Sequence, residues 1–145
     1  VFFNTKIAKK LKRKGMTADY IIANNVLATV PNINNFVKAI KILLKDKGVA
    51  SIEFQHLYQL VNKSAFDAIY HEHFSYISLI AADRLFKRNG LIIFDAYEIE
   101  TQNGSLRIFV KNKFNKEEKK NPNKITEILN NSHKKSLLKK INNMD

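Results

Sequence analysis

The chain has 145 residues, 45% of them hydrophobic, which supports one domain with a real core, and no apolar run reaches the length that crosses a membrane. It has no cysteine, which removes disulfides, thiolate nucleophiles and cysteine-type zinc sites together and fits a cytoplasmic setting. The net charge of +12 would suit nucleic acid or anionic lipid, but lysine far exceeds arginine and the charge collects at "KIAKKLKRKG" and beyond Lys111, the pattern of a solvated basic face.

The chain opens "VFFNTKIAKK", on Val rather than Met, which suggests a fragment or a processed product. Residues 5–14 read as a basic helix end or loop that Gly15 stops. Tyr20-Ile21-Ile22-Ala23 is a short apolar run between polar residues and predicts a buried strand. "VLATVPNINN" is a loop, because Pro31 disfavours helix at Val30, and Asn34 or Asn35 caps the next element. "FVKAIKILLKDKG" predicts a helix with Phe36, Ile40 and Leu43 on one face, lysines toward its end and Gly48 as terminator. "VASIEF" follows as a second buried strand. Strand, helix and strand in this order form a βαβ unit with parallel strands and a right-handed crossover.

Residues 57–63, "LYQLVNK", predict a short helix, and "SLIAADRLFKRNG" a longer one capped by Ser78 and ended by Asn89-Gly90. "LIIFDAYEI" and "SLRIFV" are two strands joined by "TQNG", whose Asn103-Gly104 is a strong hairpin signal. The expected fold class is therefore α/β, mostly parallel with a terminal antiparallel hairpin. After Val110 the chain turns Lys/Asn-rich, and helical spacing persists through Ile125, Ile128, Leu129, Leu137, Leu138 and Ile141.

Chemistry concentrates in "DAIYHEHFSYIS", residues 67–78. As a metal site it is poorly spaced: His71 and His73 at i and i+2 fall on opposite sides of a helix and align only in an extended segment, with His56 and His133 as the remaining imidazoles. As an acid/base site it is better motivated. An imidazole takes or gives a proton near neutral pH, a carboxylate orients it, and the Tyr70 phenol can polarise a carbonyl oxygen. The third reading makes Tyr70, Phe74 and Tyr76 core aromatics with the histidines satisfied by backbone, and composition alone favours it. Asn24 and Asn25 follow the first strand, where ligands of open α/β sheets bind, and serve equally well as ligand contacts or turn caps. The four glycines form neither GxGxxG nor a P-loop, so the usual glycine turn for a nucleotide-like cofactor is not in this chain.

From Ala18 to Val110, "ADYIIANNVLATVPNINNFVKAIKILLKDKGVASIEF" and "FDAIYHEHFSYISLIAADRLFKRNGLIIFDAYEIETQNGSLRIFV" resemble the S-adenosylmethionine-dependent C-methyltransferases of nucleotide-linked keto-sugars. The Tyr-x-Glu-His segment, the Asn-Asn-Val-Leu loop and the Gly-Ser-Leu-Arg hairpin carry the likeness. It implies a Rossmann-like class I methyltransferase domain of which residues 1–111 are the second half. Residues 112–145 would be a truncated start of a C-terminal domain or a helical tail. An N-terminal zinc-binding lobe and the glycine-rich part of the S-adenosylmethionine site would lie outside this chain.

The resemblance further implies His73 as the base that removes a proton beside the sugar ketone, with Glu72 and Tyr70 supporting it or contacting substrate. Asn24 and Asn25 would lie at the methyl donor, and Gly104 and Ser105 at the substrate. Thr29 stands where the family commonly has histidine, and Asn103 where a second glycine is common. A class I methyltransferase with another small-molecule acceptor and a basic nucleic-acid-binding module are the alternatives. A nucleotide-linked sugar is the expected partner, with neither nucleic acid nor membrane.

Overall fold

A computed structural model of the protein describes residues 2–101, 104–115 and 127–128. Its elements in chain order are α1 (Thr5–Arg13), β1 (Ala18–Asn24), α2 (Ile33–Leu43), β2 (Leu44–Gln55), α3 (Leu57–Asn62), a short 3-10 helix (Phe66–Ala68), α4 (Leu79–Arg88), β3 (Leu91–Ile99) and β4 (Ser105–Asn112). The last helical stretch expected from the sequence lies almost wholly outside the described residues.

The four strands form one sheet in the order β1-β2-β4-β3. β1 and β2 pair in parallel, as a βαβ unit requires, while β4 is antiparallel to both β2 and β3. The hairpin therefore does not simply extend the edge: its second strand inserts beside β2 and leaves β3 outermost. β3 consequently runs in the same direction as β1 and β2. The ends of β1, β2 and β3, together with Gly104 and the start of β4, all fall at one edge of the sheet.

Register assigns the two faces. Ala23, Ile52, Ile108 and Ala96 form one cross-strand row, and Phe54 lies opposite Leu106 on the same face. These residues are buried with Phe36, Val37 and Ile40 of α2 and with Leu79, Ala82 and Phe86 of α4 in a single core. The apolar spacing of both helices serves that face. Helix α1 docks on α2 through fully buried Ala8 and through Phe3, whose ring meets Phe36 edge-on at 6.0 Å. The opposite row, Asn24, Glu53, Arg107 and Tyr97, is polar, and an Arg107 Nη2 to Glu53 Oε2 ion pair of 2.5 Å spans β4 and β2. Glu53 is buried, and the pair satisfies its carboxylate with a charged donor.

Three expectations change. β1 is half exposed rather than buried: Tyr20 and Ile22 are 51% and 65% accessible, because alternation turns them away from α2 on a strand that has one neighbour among the described residues. Helix α2 is capped by Asn32, whose side chain accepts from Asn35 N–H, not by Asn34 or Asn35. Asn35 instead accepts from Thr5 N–H at 2.8 Å and ties the start of α1 to α2.

The third change is at the end of α2, which stops at Leu43 rather than running to Gly48. The pairing jumps from Ala18↔Leu44 to Tyr20↔Val49, so residues 45–48 bulge from the ladder, and Lys45 reaches Asp19 at 2.7 Å. Gly48 belongs to β2, where a Cβ would sit 2.9 Å from the Ala18 carbonyl oxygen and from Leu44 Cδ1. Glycine is needed there for close strand approach, not to end a helix. The expected ends of the later helices hold: Ser78 caps α4 through Ala81 N–H, and Gly90 follows it with φ +75°.

Gly48→Ala is expected to lower stability by about 1–3 kcal/mol, since the added methyl meets backbone that cannot rotate away. An unchanged urea midpoint would show that β1 and β2 do not approach this closely.

Candidate active site at the carboxyl edge of the sheet

Asn24 ends β1 and Asn25 begins the loop after it. Both are exposed at the carboxyl edge. Asn25 has φ +55°, a conformation asparagine tolerates better than most residues, and its N–H donates to Glu53 O at 2.9 Å. The loop that follows buries Leu27, Ala28 and Val30 in the core, leaving the two amides outside. Thr29 donates its hydroxyl to Val26 O at 3.0 Å and so caps a turn within this loop.

The segment carrying Tyr70, His71, Glu72 and His73 is a loop between the 3-10 helix and α4. It meets the loop after Asn25 through one carbonyl: Ala28 O accepts from Phe74 N–H at 2.8 Å and from Ser75 N–H at 3.3 Å. The two candidate segments, far apart in sequence, thus share one edge of the sheet. His73 N–H donates to Tyr70 O at 3.1 Å, closing a turn. The half-buried His73 ring stands between Tyr70 and Tyr76, edge-on to each at centroid distances of 5.3 and 5.6 Å. Its Nδ1 is buried and makes no hydrogen bond among the described residues. The Tyr76 hydroxyl accepts from Tyr70 N–H at 3.0 Å and holds the turn shut. Tyr70, His71 and Glu72 are exposed. Beneath the loop is an apolar cavity of about 160 Å³ bordered by Leu57, Leu60, Phe66, Ile69 and Tyr76.

The core-aromatic reading of this segment does not describe what is found. Tyr70 and Phe74 are 50% and 61% exposed, so they are not core aromatics. Among the described residues no group of three or more His, Asp or Glu side chains comes together as a metal site. The carboxylate expected to orient His73 does not touch it: Glu72 points to solvent with no hydrogen bond or ion pair among the described residues. Gly104 and Ser105 are both buried, and the Ser105 hydroxyl donates to Thr101 O at 3.3 Å. Asn103 lies outside the described residues.

A carboxylate does reach an imidazole at this edge, on a residue the motif does not include. His56, immediately after β2, is fully buried, and its Nδ1 lies 3.2 Å from Glu98 Oε1 of β3. The same oxygen accepts from Gln59 Nε2 of α3 at 2.8 Å. Burial pushes the His56 pKa below its ordinary 6.5, against the smaller opposing pull of Glu98. The ring is thus neutral at pH 7. Facing the Glu98 carboxylate, Nδ1 carries the proton and donates it, which leaves Nε2 as a buried acceptor with no hydrogen-bond partner among the described residues. The one sequence signal for this site was a Gln-His pair ending an apolar strand.

The sheet and its covering helices have the class I, Rossmann-like methyltransferase fold in part. The chain is 11% identical to a chain of the Haloferax volcanii complex between the Trm112 methyltransferase activator and a methyltransferase, covering 67% of this chain and 55% of that one at a TM-score of 0.55. It is 12% identical to an S-adenosylmethionine-dependent methyltransferase from Clostridium acetobutylicum, covering 71% and 68% at a TM-score of 0.51. Residues 1–96 match the family model described as a methyltransferase domain, and the chain belongs to that family. Among curated proteins it is similar to the C-methyltransferase NovU of Streptomyces niveus, 28% identical over 107 residues. That match takes in 74% of this chain and 26% of NovU, so the chain spans about a quarter of the relative's length.

Because the folded protein resists protonation of His56, the unfolded chain takes up that proton first as pH falls. The stability this residue contributes is present above about pH 6.5 and is lost as pH drops toward the lower folded-state value. Urea unfolding between about pH 7 and 5 is expected to show this decline, and His56→Asn to flatten it. Equal slopes in the two proteins would assign the decline to other groups.

Proposed function

We propose that this chain contributes the acceptor side of an S-adenosylmethionine-dependent C-methyltransferase acting on a nucleotide-linked keto-sugar. Its first 111 residues would be the second half of the methyltransferase domain, and residues 112–145 the start of a further domain or a tail. The family membership, the 28% likeness to a C-methyltransferase and the Tyr-x-Glu-His segment support the reading. The observation that carries it is the pair of hydrogen bonds from Phe74 and Ser75 N–H to Ala28 O, which brings the imidazole of His73 to the strand edge where Asn24 and Asn25 stand.

S-adenosylmethionine supplies an electrophilic methyl on a sulfonium. The exposed amides of Asn24 and Asn25 suit contact with its polar groups, since each both donates and accepts. His73 takes the proton from the carbon beside the sugar ketone. The electron pair of that C–H bond becomes an enolate, which then forms the new bond to the methyl carbon while the S–CH3 bond breaks and sulfur leaves as a thioether. The exposed Tyr70 phenol is suited to donate to the enolate oxygen, where negative charge develops. The T-shaped contacts with Tyr70 and Tyr76 hold the imidazole plane. Glu72 has no contact with His73, which leaves it to the substrate rather than to the base. Thr29, spent on Val26 O, performs no proton transfer. The glycine-rich part of the cofactor site and the zinc-binding lobe would belong to other parts of the longer protein.

In a full-length protein supplied with S-adenosylmethionine and a keto-sugar nucleotide, His73→Ala is expected to lower turnover by roughly 10²–10⁴-fold, the range of a lost general base. Solvent deuterium incorporation at the carbon beside the ketone should disappear with it, while S-adenosylmethionine binding stays within about threefold. Undiminished deuterium exchange in the variant would remove His73 from the mechanism.

A further inference from the structure

His56 stands where four segments meet. Its N–H donates to Gly104 O at 3.0 Å, its residue bridges to Ile77, and Leu57 N–H donates to Ile77 O at 3.1 Å. Its ring reaches Glu98 of β3, and through the same carboxylate oxygen Gln59 of α3 is joined to β3. Gly104 is pressed directly on that helix: a Cβ there would lie 2.6 Å from Gln59 Cβ, and its φ of +118° excludes other residues on its own account. The loop that carries Tyr70 and His73 leaves this point through α3 and returns to it at Ile77. Both ends of the loop are therefore tied at His56.

We propose that buried His56 and the partly exposed Glu98 form a clamp that sets the loop bearing His73 and the turn at Gly104–Ser105 in fixed relation. His56 is a positioning residue, because its fully buried ring cannot touch a substrate. The clamp needs the neutral Nδ1–H tautomer: the proton on Nδ1 is the donor to Glu98, and a ring with its proton on Nε2 would turn a lone pair toward the carboxylate. A carboxylate accepting from two side chains makes a stronger tie than neutral partners would, since bonds to charged acceptors exceed neutral ones. A hydrophobic residue at 56 could fill the volume, but would leave the β3 carboxylate with Gln59 alone. The proposed consequence for acceptor binding and turnover rests on the reading given under Proposed function, whereas the clamp itself does not.

Two measurements on the unmutated chain and its variants decide the clamp without any activity. Imidazole nitrogen shifts should show His56 neutral with the proton on Nδ1 at pH 7; a cationic ring or an Nε2–H tautomer overturns the proposal. Amide hydrogen exchange at Gly104 and Ser105 should quicken by at least about tenfold in His56→Leu and in Glu98→Leu, and return toward the unmutated rate in His56→Asn, whose amide restores a donor to Glu98. Glu98 is partly exposed, so its variant keeps the test valid if His56→Leu fails to fold. Unchanged exchange in Glu98→Leu overturns the clamp.

In the full-length protein Glu98→Leu should then raise the acceptor KM or lower turnover by about tenfold, with the S-adenosylmethionine KM unchanged. Faster exchange with unaltered acceptor kinetics would overturn the functional half. Inactivity of the unmutated protein toward every keto-sugar nucleotide would instead count against the proposed reaction, leaving the exchange data to decide the clamp.

Discussion

One backbone carbonyl organises the functional edge. Ala28 O accepts two amide protons from the segment that contains the His-Glu-His cluster, and Ala28 itself is buried in the loop that follows β1. That contact ties the middle of the segment to the loop after β1, in addition to the ties that hold its ends at His56 and Ile77. With it, the segment bearing His73 is held beside the loop after β1, at the edge where three strands running in the same direction end. Open α/β sheets bind ligands outside such carboxyl ends, because backbone and loop groups converge there while the strands supply a rigid base.

The strand order serves the same end. If the hairpin had added β4 at the outer edge, β3 would neighbour β2. Insertion of β4 instead joins β2 to the hairpin by a long antiparallel ladder from Val49↔Lys111 to Gln55↔Ser105. That ladder delivers Gly104 to His56 and Arg107 to Glu53. Two polar arrangements follow, one on each face: partly exposed Glu98 with buried His56 and with Gln59, and buried Glu53 with Arg107. The first ties β3 to the start of α3 and the second spans β2 and β4, where the ion pair favours this register.

Much of the fold was legible in the residues. The parallel βαβ unit, the α3 and α4 helices with the Ser78 cap, and two late strands in antiparallel pairing all follow from apolar period and turn chemistry. Of the residues singled out from the sequence, Tyr70, His73, Asn24 and Asn25 lie on two loops that meet through Ala28 O. What escaped was set by pairs distant in sequence. Gly48 reads as a helix stop because its local context is a lysine-rich helix end, yet the Ala18 carbonyl is what requires it to be glycine. His56 reads as a lone polar residue at a strand tip, and nothing near it in sequence points to Glu98. Glu72 reads as the partner of His73 because it is adjacent, but adjacency in a loop turn does not bring side chains together.

By itself the sequence determined which stretches become helix or strand, through apolar spacing, caps and glycine turns, and which residue types were present for proton transfer. Those are local properties, decided within a few residues of the chain. The tertiary structure alone decided that β4 inserts next to β2, that the His73 loop hangs on Ala28, and that the carboxylate serving an imidazole is Glu98 and that the imidazole is His56. Each of these depends on register and close approach between segments tens of residues apart, which no local pattern encodes.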